Sequence, residues 1–279
     1  MISITWSNAV DITSKEKTMR IKVEYSYLGT KYSGSQKQEC GNTIQDVLEA
    51  TLSNFFGTKV DFVASGRTDA GVSAIKQIGH FDIDDVILQK FVGEINERNL
   101  NSIVIRVNYI LPEDIRLSII TVAPADYHAR FATKVKTYAY NFYYSKTPIP
   151  YLDQFCLWVK RDKLDIKAMR QALDVVIGRH DFTSFCASNT DVVDKVRTIV
   201  SADIVASPLG YYSIILHGNG FLYNMVRIIA GTLIDVGRGK ISVQDFQKIL
   251  DAKDRTKAGK TAGAEGLVLV DVDNDFALS

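Results

Sequence analysis

The segment Ser65-Gly66-Arg67-Thr68-Asp69-Ala70-Gly71-Val72 brings a carboxylate, a guanidinium and two glycines close together. The glycines release the backbone, so Arg67 and Asp69, two residues apart, can project to the same side of a sharp loop. An aspartate beside an arginine stays ionised at neutral pH, which suits a nucleophile or a general base. The alternative is an Asp-Ala-Gly turn with a solvated arginine. β-Favouring residues precede the segment and predict a strand that ends there: Val60, Phe62 and Val63.

Two further residues could serve chemistry or packing. Tyr138 alternates with Tyr140 and Phe142, and an aromatic residue in such a strand most often belongs to the core. Arg227 lies in an apolar helical pattern, where an unpaired guanidinium would be costly. We therefore expect Arg227 either to have an anionic partner or to reach solvent along its long stem.

The elements that must position these residues follow from periodicity. The first half predicts strand, helix, strand, strand: a half-buried strand over 21–27, a helix capped by Thr43 with Asp46 in a capping box, the strand before Asp69, and a partner strand near 75–81. The second half predicts a strand over 138–142, a helix from Asp165 to Gly178, a strand over 212–216, a long helix over about 221–236, a short helix from Ser242 and a strand over 267–272.

This order predicts an α+β fold, with two ferredoxin-like halves around a mainly antiparallel sheet and an active-site cleft between them. We expect an N-terminal extension over 1–18, a domain over 19–123 that carries the Asp69 loop, and a second domain over 124–279.

Six segments, in order, resemble the pseudouridine synthases of the TruA type. The match starts at 66–72 and extends to 27–38 with 43–45, 127–131 with 136–138, 180–185, 218–227 and 262–267. Two positions depart from the usual pattern of the family, which has tryptophan at Ser35 and commonly histidine at Ser73. The region 86–108 matches poorly, and we interpret it as lineage-specific.

The resemblance implies an isomerase that converts uridine to pseudouridine in the anticodon stem-loop of tRNA, at tRNA positions 38–40, without metal, cofactor or nucleotide. It implies a homodimer in which two subunits share one tRNA. It also implies Asp69 as the catalytic group, Arg227 as its partner and Tyr138 as the residue that stacks on the target base. Whether Asp69 adds to the sugar or takes its proton stays open at this stage.

Several roles depend on the surroundings of each residue. Tyr138 could accept the C5 proton if its environment lowers its pKa from the reference value of about 10. Arg67 resembles the family arginine that helps to displace the base. His128, Arg130 and Lys136 are candidate substrate-binding residues, with local packing as the alternative for the first two.

Charge and composition set limits. The chain of 279 residues has 33 basic and 32 acidic residues, a net charge of +1, whereas nucleic-acid binders are usually basic. A neutral chain can still carry a basic cleft. Basic residues cluster at Lys253, Arg255, Lys257 and Lys260 and near the matched segments, at Lys134, Lys136, Arg227, Arg238 and Lys240. A solvated loop is the alternative for the first cluster.

Other function classes have less support. The three cysteines (Cys40, Cys156 and Cys186) form no Cys-x-x-Cys pair, so neither disulfides nor zinc are indicated. No apolar run reaches the roughly 20 residues of a membrane span, and 1–18 lacks a signal-peptide core, so we expect a cytoplasmic protein. A metal-dependent hydrolase or a nucleotide-binding protein would need ligands or a phosphate loop that the sequence lacks. A non-catalytic RNA-binding relative or tRNA chaperone is the serious rival.

Overall fold

The computed structural model describes residues 18–39, 41–161 and 163–274. The predicted N-terminal extension therefore lies outside the described residues except for Thr18, and so does Cys40. Within the described ranges no helix is long and apolar enough to cross a membrane.

Ten strands in the described residues form one sheet. They are β1 (Thr18–Tyr27), β2 (Val63–Ala64), β3 (Ser73–Asp84), β4 (Ile115–Ala123), β5 (Val135–Ser145), β6 (Leu157–Lys160), β7 (Gly178–Asp181), β8 (Val196–Ala206), β9 (Tyr212–Gly218) and β10 (Leu267–Asp273). The main order is β4-β1-β3-β10-β5-β9-β8-β7, with β2 beside β3 and β6 beside β5. Among these ten described strands, only β10 with β3 and β5 with β6 pair in parallel, so the predicted α+β class and mainly antiparallel sheet are confirmed.

Six α-helices accompany the sheet in the described chain. They are α1 (Ile44–Phe56), α2 (Asp85–Val92), α3 (Glu97–Asn108), α4 (Ile166–Asp174), α5 (Met225–Gly237) and α6 (Val243–Ala252). The poorly matching region 86–108 thus contains most of α2 and all of α3, and α3 packs on β4. The strand β10 lies between β3 and β5, so the sheet is continuous through both predicted domains. The division at 123/124 stays a prediction.

Local sequence explains why α1 begins where it does. The Thr43 hydroxyl accepts from the Asp46 backbone N–H at 3.2 Å, and the Asp46 carboxylate accepts from the Thr43 backbone N–H at 3.1 Å. This is the predicted capping box, which satisfies two N–H groups at the helix start. The buried face of α1 carries Ile44, Leu48, Leu52 and Phe56.

Two predicted helix limits were wrong. Helix α5 starts at Met225 rather than near Phe221, because Asn224 has a left-handed backbone with φ 59°, which a right-handed helix cannot include. Helix α4 ends at Asp174 rather than near Gly178, because Val175 and Val176 donate to carbonyls three residues back and tighten the last turn. The sequence patterns also left four strands unpredicted: β4, β6, β7 and β8.

Strand register brings distant residues into one row at the centre of the sheet. Tyr27 pairs with Ala74, Ala74 with Leu269, and Leu269 with Tyr138. Directly paired residues project from the same face of a sheet, so the row runs from β1 through β3 and β10 to β5 on one face. The loop that carries Asp69 connects β2 to β3 and therefore lies at this row.

Close packing on α5 yields a prediction about stability. A Cβ at Gly231 would overlap the backbone carbonyl oxygen of Lys260. We expect Gly231→Ala to lower the free energy of unfolding by about 1–3 kcal/mol, because overpacking outweighs the better helix propensity of alanine. Gly220→Ala is the matched control, because its Cβ would meet only the flexible Arg197 side chain, at 3.5 Å. Urea denaturation of both variants checks this, and equal stability would contradict it.

Candidate active site

Hydrogen bonds from Ser35, Tyr27 and Gln77 hold the loop that carries Asp69. The Thr68 backbone N–H donates to the Ser35 hydroxyl at 2.7 Å, and the Ser35 N–H donates to the Thr68 carbonyl at 3.1 Å. The Thr68 hydroxyl bonds the Tyr27 hydroxyl at 2.8 Å. The Gln77 amide donates to the Gly66 carbonyl at 3.2 Å. The loop backbone is therefore fixed while Asp69 stays partly open to solvent.

Arg227 lies in the first turn of α5 and faces Asp69 across the site. Its Nη1 lies 3.5 Å from Oδ2 of Asp69 and donates to the Asn224 side-chain oxygen at 2.7 Å. Its Nε donates to the Ala262 carbonyl at 2.8 Å. The Arg227 side chain is only 18% exposed, so three oxygen acceptors offset the cost of burying its charge. The predicted anionic partner is thus Asp69, and the solvent-reaching alternative is wrong.

Burial dominates the electrostatics of Asp69, whose side chain is 26% exposed. Loss of solvent raises the pKa of Asp69 above its usual value, and the nearby Arg227 charge opposes this rise only in part. A neighbouring arginine therefore does lower the pKa of Asp69, as expected, but that arginine is Arg227 and not Arg67. Arg67 is exposed and makes no hydrogen bond or ion pair within the described chain.

Tyr138 is both part of the core and part of the site. It is 7% exposed, and the Phe221 ring meets it edge-on with ring centroids 5.0 Å apart. Burial, then Tyr27 and Asp69, raise the pKa of Tyr138 well above that of a free phenol. The lowered pKa on which the proton-accepting role of Tyr138 depended is therefore not present in the free protein.

The remaining candidates occupy different surroundings. Lys136 contacts the start of the Asp69 loop, where its Nζ donates to the Ser65 carbonyl at 3.1 Å. Burial, with a smaller effect of Arg130, lowers the pKa of Lys136 to about 8. His128 stacks on Phe131 with ring centroids 4.4 Å apart, so it has the local packing named as its alternative, whereas Arg130 is exposed.

The basic cluster at 253–260 is partly structural. Arg255 donates to the Gly259 carbonyl at 3.0 Å and to the Thr261 hydroxyl at 3.1 Å, which braces the segment that leads to Ala262. Lys253 pairs with Asp181 at 3.4 Å. Lys257 and Lys260 are exposed.

Sequence reasoning missed two groups that hold Arg227. Asn224 and Ala262 both lie in segments matched to the family, but no role was predicted for either. The Asn-x-x-Arg spacing at a helix start was a usable signal, because residues three apart are neighbours on a helix. The Ala262 carbonyl had no signal, since any residue carries one. Among the described residues no group of three or more histidine, cysteine, aspartate or glutamate side chains could hold a metal ion.

Comparison with known proteins bears on this geometry. A family model described as "tRNA pseudouridine synthase" matches residues 24–132 and 172–275. A protein named tRNA pseudouridine synthase A from Geobacillus kaustophilus (strain HTA426) is 42% identical over 254 residues, covering 90% of this chain and 93% of that protein. A protein of the same name from Bacillus subtilis (strain 168) is 40% identical over 260 residues, covering 92% and 100%. A third, from Listeria innocua, is 41% identical over 257 residues, covering 91% and 98%.

The raised pKa of Asp69 predicts a pH-dependent stability difference. Folding favours the protonated carboxyl, so its contribution to stability is fully present below the unfolded-state pKa and is lost as pH rises through the folded-state pKa. Asparagine cannot ionise. We expect Asp69→Asn to have a higher Tm than wild type at pH 7, and the difference to shrink at acidic pH.

Thermal denaturation across pH measures this difference. Asp61→Asn is the matched control, because the Asp61 side chain is 73% exposed and, within the part of the chain that the structure describes, pairs only with Lys59. We expect the control to change Tm little at any pH. A Tm of Asp69→Asn that is equal to or below wild type at pH 7, with no dependence on pH, would contradict the prediction.

Proposed function

The chain belongs to the tRNA pseudouridine synthase family, isomerases that convert uridine to pseudouridine in tRNA, and on this premise we propose that Asp69 is the catalytic group of this chain. The contact between Asp69 and Arg227 carries the proposal. A half-buried carboxylate faces a guanidinium that two further oxygen acceptors, on Asn224 and Ala262, hold in place. Burial makes the carboxylate more basic than a solvated one, and the arginine keeps a charge available to stabilise it.

The reaction is an isomerisation, so no atom is gained or lost. The bond between N1 of uracil and C1′ of ribose breaks, a bond between C5 and C1′ forms, and the C5 proton is exchanged for one on N1. In the proposed mechanism Asp69 starts the sequence, either by attack on the nucleoside or by removal of a sugar proton.

The target uridine must first leave the base stack, at a cost of a few kcal/mol, before a side chain can reach its glycosidic bond. Arg67 is the proposed wedge. It is exposed on the loop two residues before Asp69 and has no competing partner in the described chain. A guanidinium plane can stack on the neighbouring bases and also contact phosphate, which suits it to fill the place of the flipped base.

Tyr138 is proposed to support the flipped base by stacking. Its ring is fixed by Phe221 and lies in the same row of the sheet as Tyr27, whose hydroxyl holds Thr68. The raised pKa of Tyr138 disfavours a phenolate in the free protein. We therefore assign the ring face of Tyr138, rather than an ionised oxygen, to substrate contact.

The substrate is proposed to be the anticodon stem-loop of tRNA, with uridines 38–40 as targets, read through its shape and phosphates. Arg67 is exposed on the Asp69 loop, and the exposed Arg130 lies close enough to Lys136 to affect its pKa. In this proposal both arginines contact the RNA backbone. We also propose a homodimer in the cytoplasm, where tRNA is modified.

A non-catalytic RNA-binding relative is the second candidate. It would need basic residues, but not a carboxylate whose burial raises its pKa and so lowers stability at neutral pH. The Asp69 surroundings therefore favour the enzyme.

Tritium release tests the proposed catalytic role. With tRNA labelled at uridine C5, we expect wild type to release tritium and Asp69→Asn to release none above background, while both bind tRNA with similar Kd. A similar Kd, together with the Tm of Asp69→Asn measured as above, excludes unfolding as the cause. Wild type that binds tRNA without release would contradict the proposal and favour the RNA-binding relative.

The Arg227 guanidinium, whose Nε and Nη1 donors form a fork that reaches three oxygens, generates a second prediction. Arg227→Lys keeps the charge but loses the separate Nε and Nη1 donors that reach these three oxygens, so we expect kcat to fall by about 10- to 100-fold with Kd for tRNA nearly unchanged. Arg238→Lys is the matched control at the other end of α5, where the guanidinium pairs with Asp235 at 3.4 Å. Equal kcat for the two variants would show that the fork at Arg227 is not needed.

A further inference from the structure

Ser35 binds both backbone polar groups of Thr68, the residue before Asp69. Its hydroxyl accepts from the Thr68 N–H at 2.7 Å, and its own N–H donates to the Thr68 carbonyl at 3.1 Å. Ser35 is 3% exposed, so neither bond competes with solvent. One hydrogen bond to the N–H and one to the carbonyl of Thr68 fix both the position and the rotation of the backbone that leads into Asp69.

Ser35 is itself attached to a rigid element. The first N–H groups of α1 have no partner inside the helix. Two of them donate outside it, Ile44 to the Gly34 carbonyl at 3.2 Å and Gln45 to the Ser35 carbonyl at 3.1 Å. A continuous series of hydrogen bonds therefore runs from the start of α1 through Ser35 to Thr68.

The approach of the two backbones requires glycine before Ser35. Gly34 has φ +109°, a conformation that side chains rarely adopt, and a Cβ there would lie 3.1 Å from the Thr68 carbonyl oxygen. The pair Gly34-Ser35 is thus shaped to meet the catalytic loop by backbone contact. Ser35 is also one of the two positions where this chain departs from the usual pattern of the family.

The Ser35 hydroxyl oxygen accepts the Thr68 N–H hydrogen bond, and a side chain without an acceptor atom could not do so. The Thr68 N–H points into a buried space, and loss of its acceptor would leave a buried donor unsatisfied. The backbone would then turn to find another partner. Asp69 is the next residue, so its carboxylate would move relative to Arg227, and small misplacements of a reacting group can reduce rates by about 100-fold.

We infer that Ser35 is a positioning residue for the isomerisation, which fixes the Asp69 carboxylate through the Thr68 peptide; the inference rests on the proposed function. Ser35 is buried, so in this proposal it acts through Asp69 rather than by contact with the substrate. It should affect the rate of the chemical step and leave tRNA affinity nearly unchanged, because the Phe221 ring holds Tyr138 and the Ser65 carbonyl holds the Lys136 ammonium, and Ser35 contacts neither.

The experiment compares Ser35→Ala with Ser33→Ala in the full chain. Ser33 is two residues away, and its hydroxyl makes no hydrogen bond within the described residues, so the chemical change is the same without loss of an acceptor. We expect single-turnover tritium release to slow by about 10- to 100-fold in Ser35→Ala, with Kd within about twofold of wild type. We expect Ser33→Ala to match wild type in both quantities.

Two conservative variants grade the effect. Ser35→Thr keeps the hydroxyl and should recover most of the rate, whereas Ser35→Cys has a weaker acceptor and should fall between serine and alanine. The Ser35→Cys variant also replaces Ser35→Ala in the comparison if the alanine variant does not fold.

Amide exchange in the free protein gives a readout that does not depend on activity. The Thr68 amide should exchange faster in Ser35→Ala, while the Ser65 amide, which donates to the Ile78 carbonyl at 2.7 Å, should keep its rate. Faster exchange together with slower release supports the inference.

Three results would overturn it. One is a release rate for Ser35→Ala equal to that of Ser33→Ala. Another is unchanged Thr68 exchange. The third is a Ser35→Thr variant that restores slow exchange but stays as slow as alanine in tritium release. Failure of the proposed function is distinguishable, because wild type would then release no tritium at all.

Discussion

The partial burial of one carboxylate beside one guanidinium is the constraint on which the site depends. Removing Asp69 from water raises its pKa and costs stability at neutral pH, and Arg227 recovers only part of that cost. Arg227 is itself buried, so it needs the Ala262 carbonyl and the Asn224 amide as further acceptors. Each buried charge thus requires support from another segment, and these segments come from both halves of the chain.

The sheet makes these distant segments meet. Tyr27, Ala74, Leu269 and Tyr138 form one row across four strands, and the Asp69 loop enters at that row. Helix α5 then brings Arg227 to the same place, with its Gly231 pressed against the backbone at Lys260. The contact at Gly231 keeps the segment 260–262 close to α5, where the Ala262 carbonyl accepts from Arg227. Packing far from the carboxylate therefore determines the geometry at the carboxylate.

What the sequence could predict was local. The capping box at Thr43 and the alternation around Tyr138 involve neighbours in the chain, and both are present in the structure. The local pattern placed Arg67 beside Asp69, whereas the Arg227 partner seen in the structure was predicted only through the family resemblance. Likewise the bonds of Ser35 to Thr68 join residues far apart in the chain, and the left-handed backbone of Asn224 follows from the turn before α5. Burial determines the direction of the pKa shifts of Asp69, Tyr138 and Lys136, and burial is known only once the fold is known.

The position of β10 has a consequence for how the molecule assembles. It is the last strand of the described chain, yet it lies in the middle of the sheet between β3 and β5. A chain still emerging from the ribosome can form the β1–β3 pairs early, but it lacks the strand that connects them to β5. Such non-local pairing slows folding. We therefore expect Asp69 and Arg227 to come together late, and on the proposed function a nascent chain that lacks β10 would not yet act on RNA.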